Sequence, residues 1–302
     1  MTTREHATVA RATDEGAHGG GEHEARPLRL YISADMEGVA GVVHQNETVA
    51  GNREYEAARA LMVAEVNTVV EAALSCGATE IIVSDGHATQ RNIPPQALHE
   101  AATLVRGRPR PLGQMAGLTS DIDALLLVGY HARKGVGRAV LDHTMWTRTV
   151  ERVVINGREV GEIGLNAALA GAYGVPMIFV AGDRAAADEA GALVEHCVTV
   201  SVKEGLGRTA AKCMHPKRAR ALIASGVRAA IERRASVAPF TFSAPLESTL
   251  TFTNSAMADV AEFMPSAQRI DGKSVLLRAD DYITLWGALR AATLLATTAL
   301  GG

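Results

Sequence analysis

Asp35 and Glu37, two residues apart in Ser33-Ala-Asp-Met-Glu-Gly38, are the first side chains in this sequence with chemistry to offer. On extended backbone residues i and i+2 point to one side, so the two acids repel unless a cation or protons neutralise them. Farther along, His87 follows Asp85-Gly86, His131 follows Gly129-Tyr130, and Glu162 follows Gly161. Neutral imidazoles with carboxylates make a mixed nitrogen and oxygen donor set suited to Zn2+ or a similar divalent metal. These five residues exceed the three that a single catalytic zinc usually takes from protein. A pair of metals about 3.5–4 Å apart, sharing one carboxylate, fits them better.

Taken singly, each has a plainer reading. An Asp after a strand is commonly a turn former or helix N-cap, Glu37-Gly38 suits a solvated turn, and a lone loop histidine is seldom a ligand. Position is what raises the metal reading. Leu28 to Ser33 reads as a strand ending at Asp35, Ile81 to Val83 as one ending at Asp85 and His87, and Ala124 to Val128 as one ending at His131. Val150 to Ile155 and Arg158 to Val160 flank Asn156-Gly157, a hairpin signal, and the second strand runs into Glu162. Ligands of open α/β sheets bind outside the carboxyl ends of the strands. The five side chains are therefore expected along one edge of one sheet.

The intervening elements support such a sheet. Tyr55, Ala58, Leu61, Met62, Val66, Val69 and Ala73 recur at helical steps between Glu54 and Ser75, with Gly77 placed to stop the helix. A helix over Gly164 to Tyr173 and a strand over Pro176 to Ala181 come next. Apolar strands alternating with amphipathic helices predict an α/β fold, a largely parallel sheet flanked by helices. After residue 200 a helix over Pro216 to Ala235 and strands over Ser248 to Thr253 and Ser274 to Leu277 predict a smaller α+β portion. The organisation read from sequence is a disordered tail over 1–27, an α/β metal-binding catalytic domain over 28–200 and an α+β domain over 201–302. The tail is Gly-rich and polar, and its His6, His18 and His23 read as solvated residues rather than a metal tract.

Composition excludes other classes. In 302 residues, 30 Lys and Arg stand against 33 Asp and Glu, a net charge of −3 without the basic footprint of nucleic-acid binding. The most apolar run, Leu285 to Leu300, carries Arg290 and several Thr and is expected as a buried helix rather than a membrane span. Cys76, Cys197 and Cys213 form no CxxC pair, and the N-terminus has no apolar signal core. Both point to a reducing, cytoplasmic setting.

The Ser33 to Gly38 block is succeeded in order by Asp85-Gly-His87, Gly129-Tyr-His-Ala132, Leu141-Asp-His-Thr144, Asn156-Gly157 and Gly161-Glu-Ile-Gly-Leu-Asn-Ala167. Together these blocks resemble the zinc-dependent D-aminopeptidases, metallopeptidases like the dipeptide-transport-operon protein A, over about residues 28 to 290. The resemblance implies a dizinc site in which Asp35 bridges the metals, Glu37 and His87 complete the first, and His131 and Glu162 the second. It implies that His143 is the catalytic histidine, beside the metals rather than on them. It also implies a homodecamer of two stacked pentameric rings that releases N-terminal D-amino acids from short peptides.

The chemistry of those residues agrees. Amide hydrolysis needs a nucleophile, stabilisation of a tetrahedral oxyanion and a proton for the leaving amine. Zinc brings the pKa of a bound water to about 7 and polarises a carbonyl. Histidine moves protons at neutral pH, so His143 is expected as general acid and base, with direct attack by its imidazole as the alternative. Other expectations compatible with the sequence are a dimetal amidohydrolase of L- or β-peptide specificity and a non-catalytic peptide binder of a dipeptide uptake system. Asp85 and Asp142 read either as partners that orient histidines or as caps. Asn166, Gly182-Asp183 and His44 read as local structure before substrate contacts, and Cys76 as a small buried hydrophobe.

Overall fold

The chain is described over residues 27–301 in a computed structural model, and its first element is β1 (Leu28–Ala34). The expected tail and its histidines, Pro27 excepted, lie outside the described residues. A short helix α1 (Gln45–Thr48) and the long α2 (Tyr55–Ser75) lead to β2 (Ala78–Asp85), β3 (Ala102–Val105) and β4 (Ala124–Tyr130). The hairpin β5 (Val150–Ile155) and β6 (Arg158–Glu159) precedes α3 (Glu162–Ala172), β7 (Met177–Asp183) and α4 (Arg184–Leu193). Then come β8 (Val198–Gly207), β9 (Ala210–Cys213) and α5 (Pro216–Arg233). β10 (Leu246–Phe252), α6 (Ser255–Ala261), β11 (Ala267–Arg269), β12 (Ser274–Ala279) and α7 (Tyr282–Ala296) complete the chain.

Seven strands form one sheet in the order β3-β2-β1-β4-β7-β8-β9, parallel except for the β8–β9 pair. Its central strands β4 and β7 are buried along their whole length, and their sequences, Ala-Leu-Leu-Leu-Val-Gly-Tyr and Met-Ile-Phe-Val-Ala-Gly-Asp, are almost continuously apolar. That is the signature of strands covered on both faces. One cover is α2, which buries Ala58, Met62, Val66, Val69 and Ala73 at three- and four-residue steps. Strand order runs outward from β1 to β2 and β3, then resumes on the other side of β1 with β4. The crevice beyond the carboxyl ends of β1 and β4 is therefore a topological switch point, where open α/β sheets bind ligands.

Two glycines let the backbones close there. A Cβ on Gly38, just past β1, would collide with the Tyr130 carbonyl, and one on Gly129, in β4 at φ +72°, with the Asp35 carbonyl. Only hydrogen fits at such approaches.

The second sheet is antiparallel, in the order β11-β12-β10-β5-β6. Its β5–β6 turn at Asn156-Gly157 has φ of 47° and 81°, as the hairpin signal predicts. The hairpin thus belongs to this sheet, not to the parallel one, and Glu162 is the first residue of α3 rather than the end of a main-sheet strand. A boundary near residue 200 does not follow the sheets either. Residue 200 lies inside β8, β8 and β9 extend the parallel sheet, α5 packs on α2, and the second sheet recruits β5 and β6 from mid-chain. The β5–β10 pairing joins Ile155 to Ser248, a contact between distant segments that no local pattern announces. α7 buries Leu285, Leu289, Ala292 and Ala296 and packs on α3, β10 and β12.

Candidate metal centre

Asp35 and Glu37 leave the end of β1, His87 follows β2, His131 follows β4, and Glu162 opens α3. All five are at most 6% exposed, and they meet over the switch point. His87 Nδ1 lies 3.1 Å from Asp35 Oδ1 and 3.0 Å from Glu37 Oε2. His131 Nε2 lies 3.5 Å from Asp35 Oδ2 and 3.6 Å from Glu162 Oε1. The two oxygens of Asp35 therefore face two different histidines. His143 joins from the loop after β4, with Nε2 3.6 Å from Glu162 Oε1. Donor atoms of Asp35, Glu37 and His131 fall within 4.8 Å of one another, as do those of His131, His143 and Glu162.

Each histidine is oriented by a main-chain carbonyl. His87 Nε2 donates to Thr48 O at 2.7 Å, and the Nδ1 atoms of His131 and His143 donate to Ala132 O and Leu141 O at 2.9 Å. The other nitrogen of each ring is left facing the carboxylates, the arrangement that fixes the tautomer of metal-ligating histidines. Two atoms make the fit to a cation specific. His131 Nε2 and Glu37 Oε2 are buried without a well-formed hydrogen bond, a costly state that coordination relieves.

The electrostatics are those of buried carboxylates facing imidazoles. Burial opposes ionisation of Asp35, yet the His131 and His87 imidazoles that face it outweigh burial and keep its carboxyl well below the usual range. Glu37 is lowered too, burial being outweighed by the charge of His87. Burial works against charge on the imidazoles, but Glu37 and Asp35 lift His87 well above its ordinary value. Asp35, Glu162 and Glu37 push His131 up to about 10. Divalent cations compete with those protons for the same atoms.

Sequence reasoning missed several supports. Gln114 sits in a 3-10 turn, donates from Nε2 to Glu162 Oε2, and accepts from Asn166 Nδ2 at 2.9 Å. Asn166 also donates to Tyr130 OH at 2.8 Å, so it supports the centre from behind. Lys203, 3% exposed in β8, donates from Nζ to the carbonyls of Glu37, Val39 and Val42, pinning the loop that carries Glu37. Nothing local marks either role: a Gln in a loop and a Lys in a strand are ordinary residues.

The remaining candidates are structural. The Asp85 carboxylate accepts from Asn92 and Ile93 and shapes the loop after His87 rather than touching its ring. Asp142 accepts from Gly135 N at 2.7 Å and pairs with Arg208 at 3.0 Å. Asp183 caps α4 and also accepts from Val140 N at 2.7 Å. His44 caps α1, and Cys76 ends α2 packed against the core.

The centre opens into a cavity of about 660 Å³ that Asp35, Glu37, His87, His143 and Glu162 line at one part, with Met145, Trp146, Arg108 and Arg290 at others. A space of that size suits a small molecule or short peptide.

Known proteins resemble this chain in sequence and fold. A D-aminopeptidase of Bacillus subtilis strain 168 is 35% identical over 270 residues, 89% of this chain and 98% of its own. The solved Zn-dependent D-aminopeptidase DppA from Bacillus subtilis, described as a self-compartmentalizing protease, superposes with a TM-score of 0.87 at 34% identity, covering 89% of this chain and 98% of that one. The family model for the D-aminopeptidases, peptidase family M55, matches residues 28–291, the whole of both sheets. On that match and the fold and site it spans, the chain belongs to the D-aminopeptidase family.

Proposed function

We propose that this enzyme is a dizinc aminopeptidase that hydrolyses the first amide bond of short peptides and releases an N-terminal D-amino acid, D-alanine-like in size. The observation that carries the reading is the pair of Asp35 oxygens, 3.1 Å from His87 and 3.5 Å from His131. Asp35 so divided would hold both ions, with Glu37 and His87 to hold one of them and His131 and Glu162 the other. Zinc dependence comes from the solved relative and from the nitrogen and oxygen donors present. When bound, such ions supply a polarised scissile carbonyl and an acidified water.

The chain's own groups do the rest. The Leu141 carbonyl holds His143 by Nδ1, leaving Nε2 to take a proton from the attacking water and return it to the leaving amine. Gln114 holds Glu162 in place. Met145 N donates to the other oxygen of Glu162 at 2.7 Å, so this carboxylate cannot swing away. Burial of the centre keeps bulk water from these charges and strengthens their fields.

The solved relative is called self-compartmentalizing. We infer a ring-shaped homo-oligomer here as well, a decamer of two pentamers, working in the cytoplasm on short peptides. Metal analysis with a stereoisomeric peptide panel tests the function. Two zinc ions per chain and chelator-sensitive cleavage of D-Ala-D-Ala are expected. A zinc-free protein, or turnover confined to L- or β-peptides, overturns the metal or the stereochemical assignment respectively. Peptide binding without cleavage in zinc-replete buffer makes the protein a binder instead.

A further inference from the structure

The cavity is bipolar. Its acidic and imidazole end is the centre described above, whereas elsewhere its wall carries Arg108 and Arg290. Neither arginine, nor the adjacent Arg110, forms an ion pair with a carboxylate among the described residues. Arg290 is half-buried, and its Nη1 donates to the Arg110 carbonyl at 3.3 Å. Burial and the Arg110 charge together lower the Arg290 guanidinium pKa. Arg108 is exposed, but a partly dehydrated cation such as Arg290 is costly without a counter-ion, and it is kept where an anion arrives with the ligand.

The local backbone is shaped for this guanidinium. Gly113, at φ +58°, has no Cβ where one would strike Arg290. The next residue, Gln114, holds Glu162 of the centre, so the guanidinium stands a short way along the cavity from the reacting end. On α7, Trp286, Arg290, Thr293 and Leu294 fall on one helical face, and all line the cavity. Trp286 is 5% exposed, and its indole N–H is buried without a partner. Arg108 lies over the Trp146 ring, 5.2 Å from its centre, a contact that steadies its long side chain.

We propose that Arg290, assisted by Arg108, receives the substrate's C-terminal carboxylate, so that the cavity selects zwitterionic short peptides ending in a free acid. The inference rests on the aminopeptidase reading for its substrate but not for its anion site. A peptide whose amino end lies among carboxylates and metals and whose carboxyl end meets guanidinium groups matches the cavity's charge at both ends. Longer peptides and blocked carboxyl ends forfeit the second contact.

The test compares D-Ala-D-Ala with its C-terminal amide on the zinc-loaded enzyme and its Arg290→Ala, Arg290→Lys and Arg108→Ala variants. If another stereoisomer is the one cleaved, its acid and amide replace this pair. Wild type is expected to favour the acid in kcat/KM by about tenfold or more, as for hydrogen bonds between charged groups. Arg290→Ala should bring the ratio close to one, mainly through KM of the acid, with Arg290→Lys in between. Should Arg290→Ala fail to fold, the wild-type ratio and the lysine variant decide. Titration with a non-cleavable reduced-amide analogue, as acid and as amide, separates the two readings. Preference for the acid analogue without any hydrolysis keeps the carboxylate site and removes the aminopeptidase. Equal handling of acid and amide by wild type, a ratio unmoved by the Arg290 variants, or failure to bind either analogue overturns the proposal.

Discussion

The rings of His131 and His143 stack with centroids 4.0 Å apart and planes within 13°, and both direct Nε2 at Glu162 Oε1 from 3.6 Å. Two imidazoles thus share one carboxylate oxygen, yet their surroundings differ. His131 is 1% exposed and also faces Asp35. His143 lines the cavity where a substrate would lie. On the proposed function, the buried ring would hold a metal and the cavity-facing ring would handle a proton.

That division predicts opposite outcomes for two alanine variants. His143→Ala should lower kcat by about 10²- to 10⁴-fold, the usual worth of a positioned acid–base group, while zinc per chain stays at the wild-type value. His131→Ala should lose zinc along with activity. Metal analysis beside steady-state kinetics reads both. Equal zinc loss in the two would make His143 a ligand and move proton transfer elsewhere.

Gln114 predicts an effect at a distance from the ions. Its amide holds Glu162 on one side and takes Asn166 on the other. Partners that orient a ligand are typically worth 10- to 100-fold in metal affinity, so a loss of roughly that size is expected for Gln114→Ala. Competition with a chromogenic chelator measures it, and unchanged affinity would leave the amide a purely structural part.

Most of the centre is legible in the sequence because a parallel sheet delivers strand ends to one edge. Asp35, Glu37, His87 and His131 stand out as the polar residues just past each apolar run. Glu162 is found in the same way for a different reason, since it opens α3 after a hairpin of the other sheet. The split of the chain near residue 200 fails because β8 carries straight through it and α5 packs back on α2. Antiparallel partners far apart in sequence leave no periodic trace. Gln114 and Lys203 are invisible for another reason: their value lies in partners brought close only by the finished fold.

The close approach at the switch point predicts a stability loss without any chemical change at the centre. A methyl at Gly129 meets the Asp35 carbonyl, and the residue's φ of +72° disfavours any side chain. Gly129→Ala should cost about 2–4 kcal/mol, strain and displacement combined. A lowered urea midpoint at unchanged slope would bear this out, whereas wild-type stability would mean that the two strand ends can part freely.

Glu65 gives a prediction in pH. It sits on the buried face of α2, 2% exposed, with Oε1 accepting from Ala40 N at 2.9 Å and Oε2 without a partner. Burial raises its pKa to about 7, against the opposing Ala40 hydrogen bond and the Lys203 and Arg220 charges. The folded chain therefore keeps this proton to higher pH than the unfolded chain, whose carboxyl titrates near 4.5. Between those values the folded state binds more protons, so the contribution to stability is intact below 4.5 and is lost as pH rises through 7. The full difference, about 2.5 pKa units, corresponds to roughly 3 kcal/mol. Glu65→Gln keeps an acceptor for Ala40 and removes the titration. Urea unfolding of variant and wild type in the same metal state should give a small gap at pH 5 and a gain of up to about 3 kcal/mol for the glutamine at pH 8.5. A gap that does not widen would mean that the carboxylate is already ionised in the fold, held by the Lys203 ammonium across the loop that carries Glu37.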